Sequence, residues 1–272
     1  MSTLQNTVQA KNSDVLDPVD AYDVLAARFA ELSAERYSYL ASIEKVIVSQ
    51  IPRSARSMLD IGSGDGVRAS RIASEGGIED LVLLEPSSAM RAHISGDAEV
   101  WPIRAQDLFE FPRGRERRFD VITCLWNVFG HIPTGDRKEL LQQVRRLLSP
   151  SGTFFIDVIH RYNVRSYGIT KTALRYLKDH FTPNPANGDV IVRWTVPNQI
   201  CATHGHVFTN PEIMALAKDA GLEPKIRFVL DYRTGKNPRF AFQGNLLYAF
   251  QAISESNSAS AVTTKSTSAS VI

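Results

Sequence analysis

Cysteine is almost missing from this chain: Cys124 and Cys201 are the only two in 272 residues. They lie far apart and show no metal-type spacing, which excludes a zinc-finger arrangement and leaves a single disulfide as the one formal alternative to free thiols. Two reduced, partly buried thiols are the expectation. Net charge is nearly absent as well, because 31 Lys and Arg offset 29 Asp and Glu to leave +2. No global field therefore draws the chain toward nucleic acid or an acidic membrane. The local cluster Arg113, Arg115, Arg117 and Arg118 contains Glu116 and reads as a solvated turn. No apolar run approaches the roughly 20 residues that a bilayer span needs. The first residues lack a basic start followed by an apolar stretch, so a cytoplasmic location without a membrane partner is expected. No internal repeat is visible.

What is present is concentrated in Leu59-Asp60-Ile61-Gly62-Ser63-Gly64-Asp65-Gly66. A short apolar strand runs here into a glycine-rich turn, and Ala69, Ile72 and Ala73 follow at helical spacing. Glycines at such a turn allow positive φ and close approach of a ligand to the backbone. The free N–H groups at the start of the next helix suit a polar or anionic ligand. Leu81-Val82-Leu83-Leu84 reads as a second buried strand ending in Glu85, at the offset typical of an acid that accepts from ribose hydroxyls. Together these features point to a nucleoside site. The dinucleotide fingerprint requires a further glycine where this chain has Val67, and Asp60 and Asp65 would repel a pyrophosphate. A ligand bearing a cation fits better.

The stretch resembles the first motif of class I S-adenosylmethionine-dependent methyltransferases, whose ligand carries a sulfonium and an ammonium. The resemblance covers about Val19 to Ala252 and implies S-adenosylmethionine as cofactor. It also implies an α/β, Rossmann-like fold: a seven-stranded, mostly parallel sheet flanked by helices. Strands are expected at Met58–Ile61, Leu81–Glu85, Glu99–Ile103, Phe119–Leu125 and Thr153–Ile159, separated by helices as a parallel sheet requires. Two helices divided near Ser33 are expected ahead of them. A clear amphipathic helix over Arg137–Leu148 is expected, capped by Asp136 with Glu139 reaching back. After the fifth strand, residues 161–209 form an expected antiparallel insertion that covers the site, with strands at Asp189–Trp194 and Ile200–Phe208. Asn210 is the expected cap of the next helix, with Gly221 at its end, and a closing hairpin over Lys225–Asp231 and Gly244–Gln251 completes the domain. The domain is taken as 18–253. Polar, aperiodic residues 1–17 and the Ser/Thr-rich residues 254–272 are expected to be disordered.

The resemblance also assigns site residues. Asp60, Gly62 and Gly64 would shape the pocket, Glu85 would hold the ribose, Asp107 would accept from the adenine amino group, and Leu125 would meet the methionine end. Tyr22 would close over the cofactor from an N-terminal lid. Trp126 is read as either a pocket wall or core. Methyl transfer is an in-line displacement at an activated carbon, so positioning carries much of the rate, and a base matters only for tightly held protons. His131 and His160 are the candidate bases. Ile156–Asn163 is similar to the segment after the fifth strand in glycine and related amino-acid N-methyltransferases, with a different order of its polar residues. That similarity nominates Arg161 and Tyr162 for substrate binding, Arg161 through a bidentate pair with a carboxylate. His204 is a third substrate candidate. No third ligand accompanies His204 and His206, so no metal is expected.

The resulting expectation is methyl transfer to nitrogen or oxygen of a small polar, carboxylate-compatible metabolite by a monomer or homodimer. An RNA or protein methyltransferase and a non-methylating nucleoside binder are the alternatives. The fourth strand lacks the Asn/Asp-Pro-Pro-aromatic signature of exocyclic-amine methylation in nucleic acids, which disfavours nucleic acid.

Overall fold

Seven apolar segments align into one sheet in the computed structural model, which describes residues 15–196 and 199–253. Strands β2 (Ser57–Ile61), β3 (Asp80–Leu84), β4 (Glu99–Trp101), β5 (Phe119–Cys124) and β6 (Leu148–Val158) are parallel, in the order β4-β3-β2-β5-β6. Beyond β6 lie β10 (Asn245–Ala252) and β9 (Leu222–Leu230), with β10 antiparallel to both neighbours. The expected Rossmann-like, mostly parallel seven-stranded architecture is the one observed. Successive strand residues serve opposite layers: Met58 packs with α3 (Tyr37–Gln50) and α4 (Val67–Gly76), Leu59 with α7 (Arg137–Leu147) and α10 (Asn210–Asp219). A parallel sheet needs both faces covered, and each fully buried Leu, Ile or Phe there contributes roughly 1.5–3 kcal/mol.

The N-terminal segment differs from expectation. Residues 15–17 are ordered: β1 (Val15–Leu16) pairs parallel with Ala202 and Thr203, and the Asp17 carboxylate accepts from the Val19 N–H at 2.9 Å to cap α1 (Pro18–Leu25). Val15 and Leu16 are an apolar pair within a polar stretch, and the edge of β8 supplies the backbone partners that order them. Residues 1–14 and 254–272, also expected to be disordered, lie outside the described residues. Three helices rather than two precede β2, because a 3-10 turn at Ala26–Arg28 separates α1 from α2 (Phe29–Ala34). Leu25 then packs with Ala21, Val196 and Cys201, while Phe29 turns toward Trp126.

The insertion contains the expected hairpin, β7 (Asp189–Val196) with β8 (Gln199–His206), and it recruits β1 into a three-stranded sheet. It also contains α8 (Val164–Tyr167) and a thirteen-residue helix, α9 (Ile169–Phe181), that sequence periodicity did not reveal. That helix is turned inside out: Thr172 is buried and Asp179 pairs with Arg161, while Ile169, Leu174, Leu177 and Phe181 face solvent. The ends of the insertion are tied together, Phe208 N–H donating to Ile159 O at 2.9 Å and Arg161 N–H to Phe208 O at 2.8 Å. Two caps are corrected as well. Asp136 makes no side-chain cap on α7. Thr209, not Asn210, caps α10 through a capping box with Glu212, while Asn210 accepts from Tyr248 and Arg227 instead.

Two glycines that bound α4 offer a test of packing against backbone strain. Gly66 and Gly77 have φ of +74° and +70°, but a Cβ at Gly66 would lie 2.9 Å from Leu83 Cδ1 while one at Gly77 meets nothing within 4 Å. Gly77→Ala should cost about 1 kcal/mol from conformation alone. Gly66→Ala should cost more, up to about 3 kcal/mol, read from urea midpoints at unchanged m-value.

Candidate functional site

The strand order reverses direction at β2: β3 and β4 lie to one side of it, β5 and β6 to the other. Chain connections diverge at that point and leave a crevice beyond the carboxyl ends of the strands, the usual ligand position in open α/β sheets. A pocket occupies it. Its wall takes Gly62 and Gly64 from the turn after β2, Glu85 and Pro86 from the end of β3, and Arg104, Ala105 and Gln106 following β4. Leu125, Trp126 and Val128 follow β5, and Asp17, Val19, Tyr22 and Phe29 close it from the N-terminal helices. The turn is left-handed at Gly62 (φ +73°) and Gly64 (φ +62°). A Cβ on Gly62 would lie 2.6 Å from Val128 Cγ1, so only glycine lets the backbone come this near the opposite wall.

Glu85 is the acid at the tip of β3, 6% exposed. One carboxylate oxygen accepts from the Gly64 N–H and the other from the Ser87 N–H, both at 2.8 Å. These bonds aim the carboxylate and leave its remaining lone pairs for a ligand. Burial pushes Glu85 up to about 7, against the partial relief of the two backbone donors. Asp60 lies behind the pocket wall: Thr123 donates to one oxygen at 2.5 Å, the other has no partner, and burial raises its pKa. It contributes charge from beneath the turn and is not a lining residue.

The end of β5 is strained. Trp126 and Asn127 are consecutive non-glycine residues at φ +57° and +59°, a conformation that a bulky residue rarely adopts. The buried Asp157 carboxylate holds the corner by accepting from the Trp126 N–H and, at 2.8 Å, from Tyr39 OH. Burial raises Asp157 to about 6. Asn127 spans the gap to the insertion, accepting from Ile159 N–H at 3.0 Å and donating to His206 O at 3.3 Å. An aromatic wall follows, with ring centroids separated by 5.4 Å for Phe29–Trp126, 6.5 Å for Tyr22–Phe29 and 5.6 Å for Tyr22–His131.

His131 is in this wall and faces the pocket. Its Nδ1 is 2.9 Å from the His204 carbonyl, which can only accept, so Nδ1 carries the proton. Nε2 is thereby left with its lone pair, 3.3 Å from Tyr22 OH. Burial lowers the His131 pKa, which keeps the ring neutral near pH 7.

Of the sequence-derived site residues, the structure gathers Tyr22, Gly62, Gly64, Glu85, Leu125 and His131 around one pocket. It does not bring the others there. Asp107 is exposed on a 3-10 turn, and its neighbours Ala105 and Gln106 line the wall instead. His160 is buried among Tyr162 and the β10 end, outside the lining, and burial lowers it to about 4. Arg161 is 4% exposed and pairs with Asp179 at 3.1 Å and Glu212 at 2.7 Å, so its fork is already occupied. Tyr162 donates to Asp179 at 2.5 Å. His204 is exposed and touches the site only through its backbone carbonyl. No group of three or more metal-ligating side chains is gathered among the described residues. Sequence reasoning missed Phe29 and Arg68 as pocket residues. Arg68 had one available signal, a cation within two residues of the glycine turn.

Comparison with known proteins decides the family. The sequence pattern described as a methyltransferase domain matches residues 26–225. The chain belongs to the methyltransferase-domain family. This methyltransferase domain is similar to the ubiquinone biosynthesis O-methyltransferase of Sodalis glossinidius (strain morsitans), at 27% identity over 161 residues. The match covers 56% of this chain and 63% of that relative, so the chain spans less than two thirds of the relative's length. In fold it resembles an S-adenosylmethionine-dependent methyltransferase from Clostridium acetobutylicum ATCC 824, with a TM-score of 0.58 at 13% identity over 84% of this chain and 99% of the other. It also resembles the glycopeptide N-methyltransferase MtfA complexed with S-adenosylmethionine, with a TM-score of 0.55 at 12% identity over 78% and 93% of the two chains.

Arg161 should therefore act on stability. Arg161→Met leaves Asp179 and Glu212 without their cation, and urea unfolding should show a loss of about 3–5 kcal/mol. A loss below about 1 kcal/mol would mean that the cluster is solvated in solution.

Proposed function

We propose that this methyltransferase domain transfers the methyl group of S-adenosylmethionine to a hydroxyl oxygen of a small polar molecule. The observation that carries the reading is the buried Glu85 carboxylate, aimed into the pocket by two backbone N–H groups beside a left-handed glycine turn. The residues present fit the cofactor. Glu85 is placed to accept from a ribose diol, the Gly62–Gly64 turn allows the backbone to approach the ligand, and Leu125, Ala105 and Gln106 offer a flat, mainly apolar slot. Tyr22 and Phe29 supply π-faces suited to a sulfonium. When bound, the cofactor would supply a methyl carbon already activated for displacement.

The chain's own contribution is to position, exclude water and move one proton. The N-terminal helices close the pocket, and the hairpin, expected to cover the site, contributes no lining residue and instead backs Tyr22 through Trp194 of β7, ring centroids 5.9 Å apart. His131, neutral and with Nε2 unprotonated, takes the proton of the acceptor hydroxyl as it attacks. Tyr22 OH donates to the same nitrogen and holds the ring's orientation before the acceptor arrives. The O-methyltransferase name of the Sodalis relative supports oxygen as the accepting atom. The saturation of Arg161 removes the support for a carboxylate on the acceptor. A nitrogen acceptor is the second reading, favoured by the N-methyltransferase that shares the fold, and it would need His131 less. Among the described residues no helix is long and apolar enough to cross a membrane.

S-adenosylmethionine with a labelled methyl group, incubated with the protein and a cell extract, tests the reading, with Glu85→Ala as control. Enzyme-dependent label in the metabolite fraction is expected; label in RNA or protein would overturn the acceptor class, and no label in any fraction would overturn methyl transfer. His131→Ala should lower kcat by about 10²- to 10⁴-fold for a hydroxyl acceptor and leave nucleoside affinity nearly unchanged. Ribose hydroxyls donate to the ionised form of Glu85, which is half populated near pH 7. Calorimetric affinity for S-adenosylhomocysteine should thus rise from pH 6 to pH 8, with a limiting slope of about tenfold per unit below the pKa. Glu85→Gln should flatten the profile, and a flat wild-type profile would remove Glu85 from the ribose.

A further inference from the structure

We infer that Arg68 anchors the carboxylate at the amino-acid end of the bound cofactor, an inference that rests on the S-adenosylmethionine reading above. Arg68 is the second residue of α4, directly past the glycine turn, and it lines the pocket with its guanidinium carbon 6.0 Å from the Trp126 ring centroid. Among the described residues it makes no hydrogen bond and no ion pair, and its Nε is buried without a partner. The other arginine in the pocket wall is satisfied: Arg104 places both terminal nitrogens on Asp17, at 3.0 and 2.8 Å. A buried guanidinium N–H left unpaired is costly, so an Arg fork held open in a cavity calls for an anionic, planar partner.

The protein's own acids do not provide that partner. Asp60 and Asp157 are near enough to feel the charge of Arg68, but neither pairs with it. Asp157 is taken up by Tyr39 and the Trp126 N–H, and Asp60 by Thr123 through one oxygen. Their charge accounts for the tolerance of a cation in this wall, while the fork's donors stay available. The second Asp60 oxygen is also unpartnered, and from behind the turn its charge is felt at the same end of the pocket as the fork. An α-amino acid zwitterion is the chemical class that matches both charges. Its carboxylate belongs to Arg68. The cofactor's amino-acid end and an acidic acceptor are the two possible sources of a carboxylate here, and the inference commits to the first.

Calorimetry with two ligands separates these sources. S-adenosylhomocysteine carries the amino acid, and 5′-methylthioadenosine has the same nucleoside and sulfur without it. Arg68→Leu should weaken S-adenosylhomocysteine by about 10- to 100-fold and leave methylthioadenosine within about twofold. Arg68→Lys should fall between, since an ammonium keeps the charge but not the fork. Thermal melting of each variant monitors the fold. Equal weakening of both ligands would overturn the inference in favour of a general effect on pocket shape. Unchanged affinity for both, with a raised KM for the acceptor identified by the labelling experiment, would overturn it in favour of the acceptor's acid. If the wild type binds neither ligand, the cofactor reading itself fails and this inference falls with it. That outcome is distinct from a failure of Arg68 alone.

Discussion

The corner at Trp126 and Asn127 is the constraint on which the site depends. Two successive side-chain-bearing residues in left-handed geometry cost of order 1–3 kcal/mol each, and they persist only where the surroundings over-determine them. Here Asp157 clasps the Trp126 N–H, Tyr39 clasps Asp157, and Asn127 is fixed by one bond from the end of β6 and one to the end of β8. The corner thus joins the central sheet, helix α3 and the insertion. It sets Leu125 and Trp126 into the pocket wall and starts the short turn that delivers His131. Without it the histidine would have no fixed relation to Glu85, because the two come from opposite sides of the switch point.

Around that corner the pocket is electrostatically unusual. Three carboxylates, Asp60, Glu85 and Asp157, are buried within or behind its walls, and desolvation raises the pKa of each. Such an arrangement is unfavourable for a protein left to itself and favourable for a cationic ligand, whose arrival compensates charges that the fold has already desolvated. A buried network around Arg161 answers the opposite need. Arg161, Glu212, Asp179 and His206 interlock to hold the insertion over the sheet, and Glu212 doubles as the return half of the α10 capping box. Charged side chains in this chain therefore serve two ends. Desolvated acids lie in and behind the pocket wall, and fully paired groups fasten the insertion.

Much of this was legible in the sequence, for reasons that can be named. The β2 turn was visible because three glycines at fixed spacing have a steric meaning independent of context, and Glu85 because it ends an apolar run at the matching distance. The parallel sheet was visible because strands buried on both faces are continuous apolar runs. Helix α9 carries apolar residues at Ile169, Leu174, Leu177 and Phe181, and such a pattern does not say which face is buried; here the apolar face points to solvent. The role of Arg161 was misread because a guanidinium near a strand end suits a ligand carboxylate and a buried Asp–Glu pair equally well. Only the distant residues Asp179 and Glu212 distinguish them. Asp107 failed for a related reason, since one residue of rotation in a 3-10 turn exchanges it for Gln106.

Local sequence by itself determined the strands of the seven-stranded sheet and their order along the chain, the glycine turn and the acid at the tip of β3. Each of these depends on steric and solvation preferences within a few residues. Tertiary structure decided which cations were already paired, which histidine kept a lone pair toward the pocket, and which residues closed the cavity. Those outcomes depend on partners outside the local segment, as with Arg161 and Glu212, 51 residues apart, or Tyr22 and His131, 109 apart. A side chain's chemistry is set by its type, but its availability is set by what the fold has placed beside it.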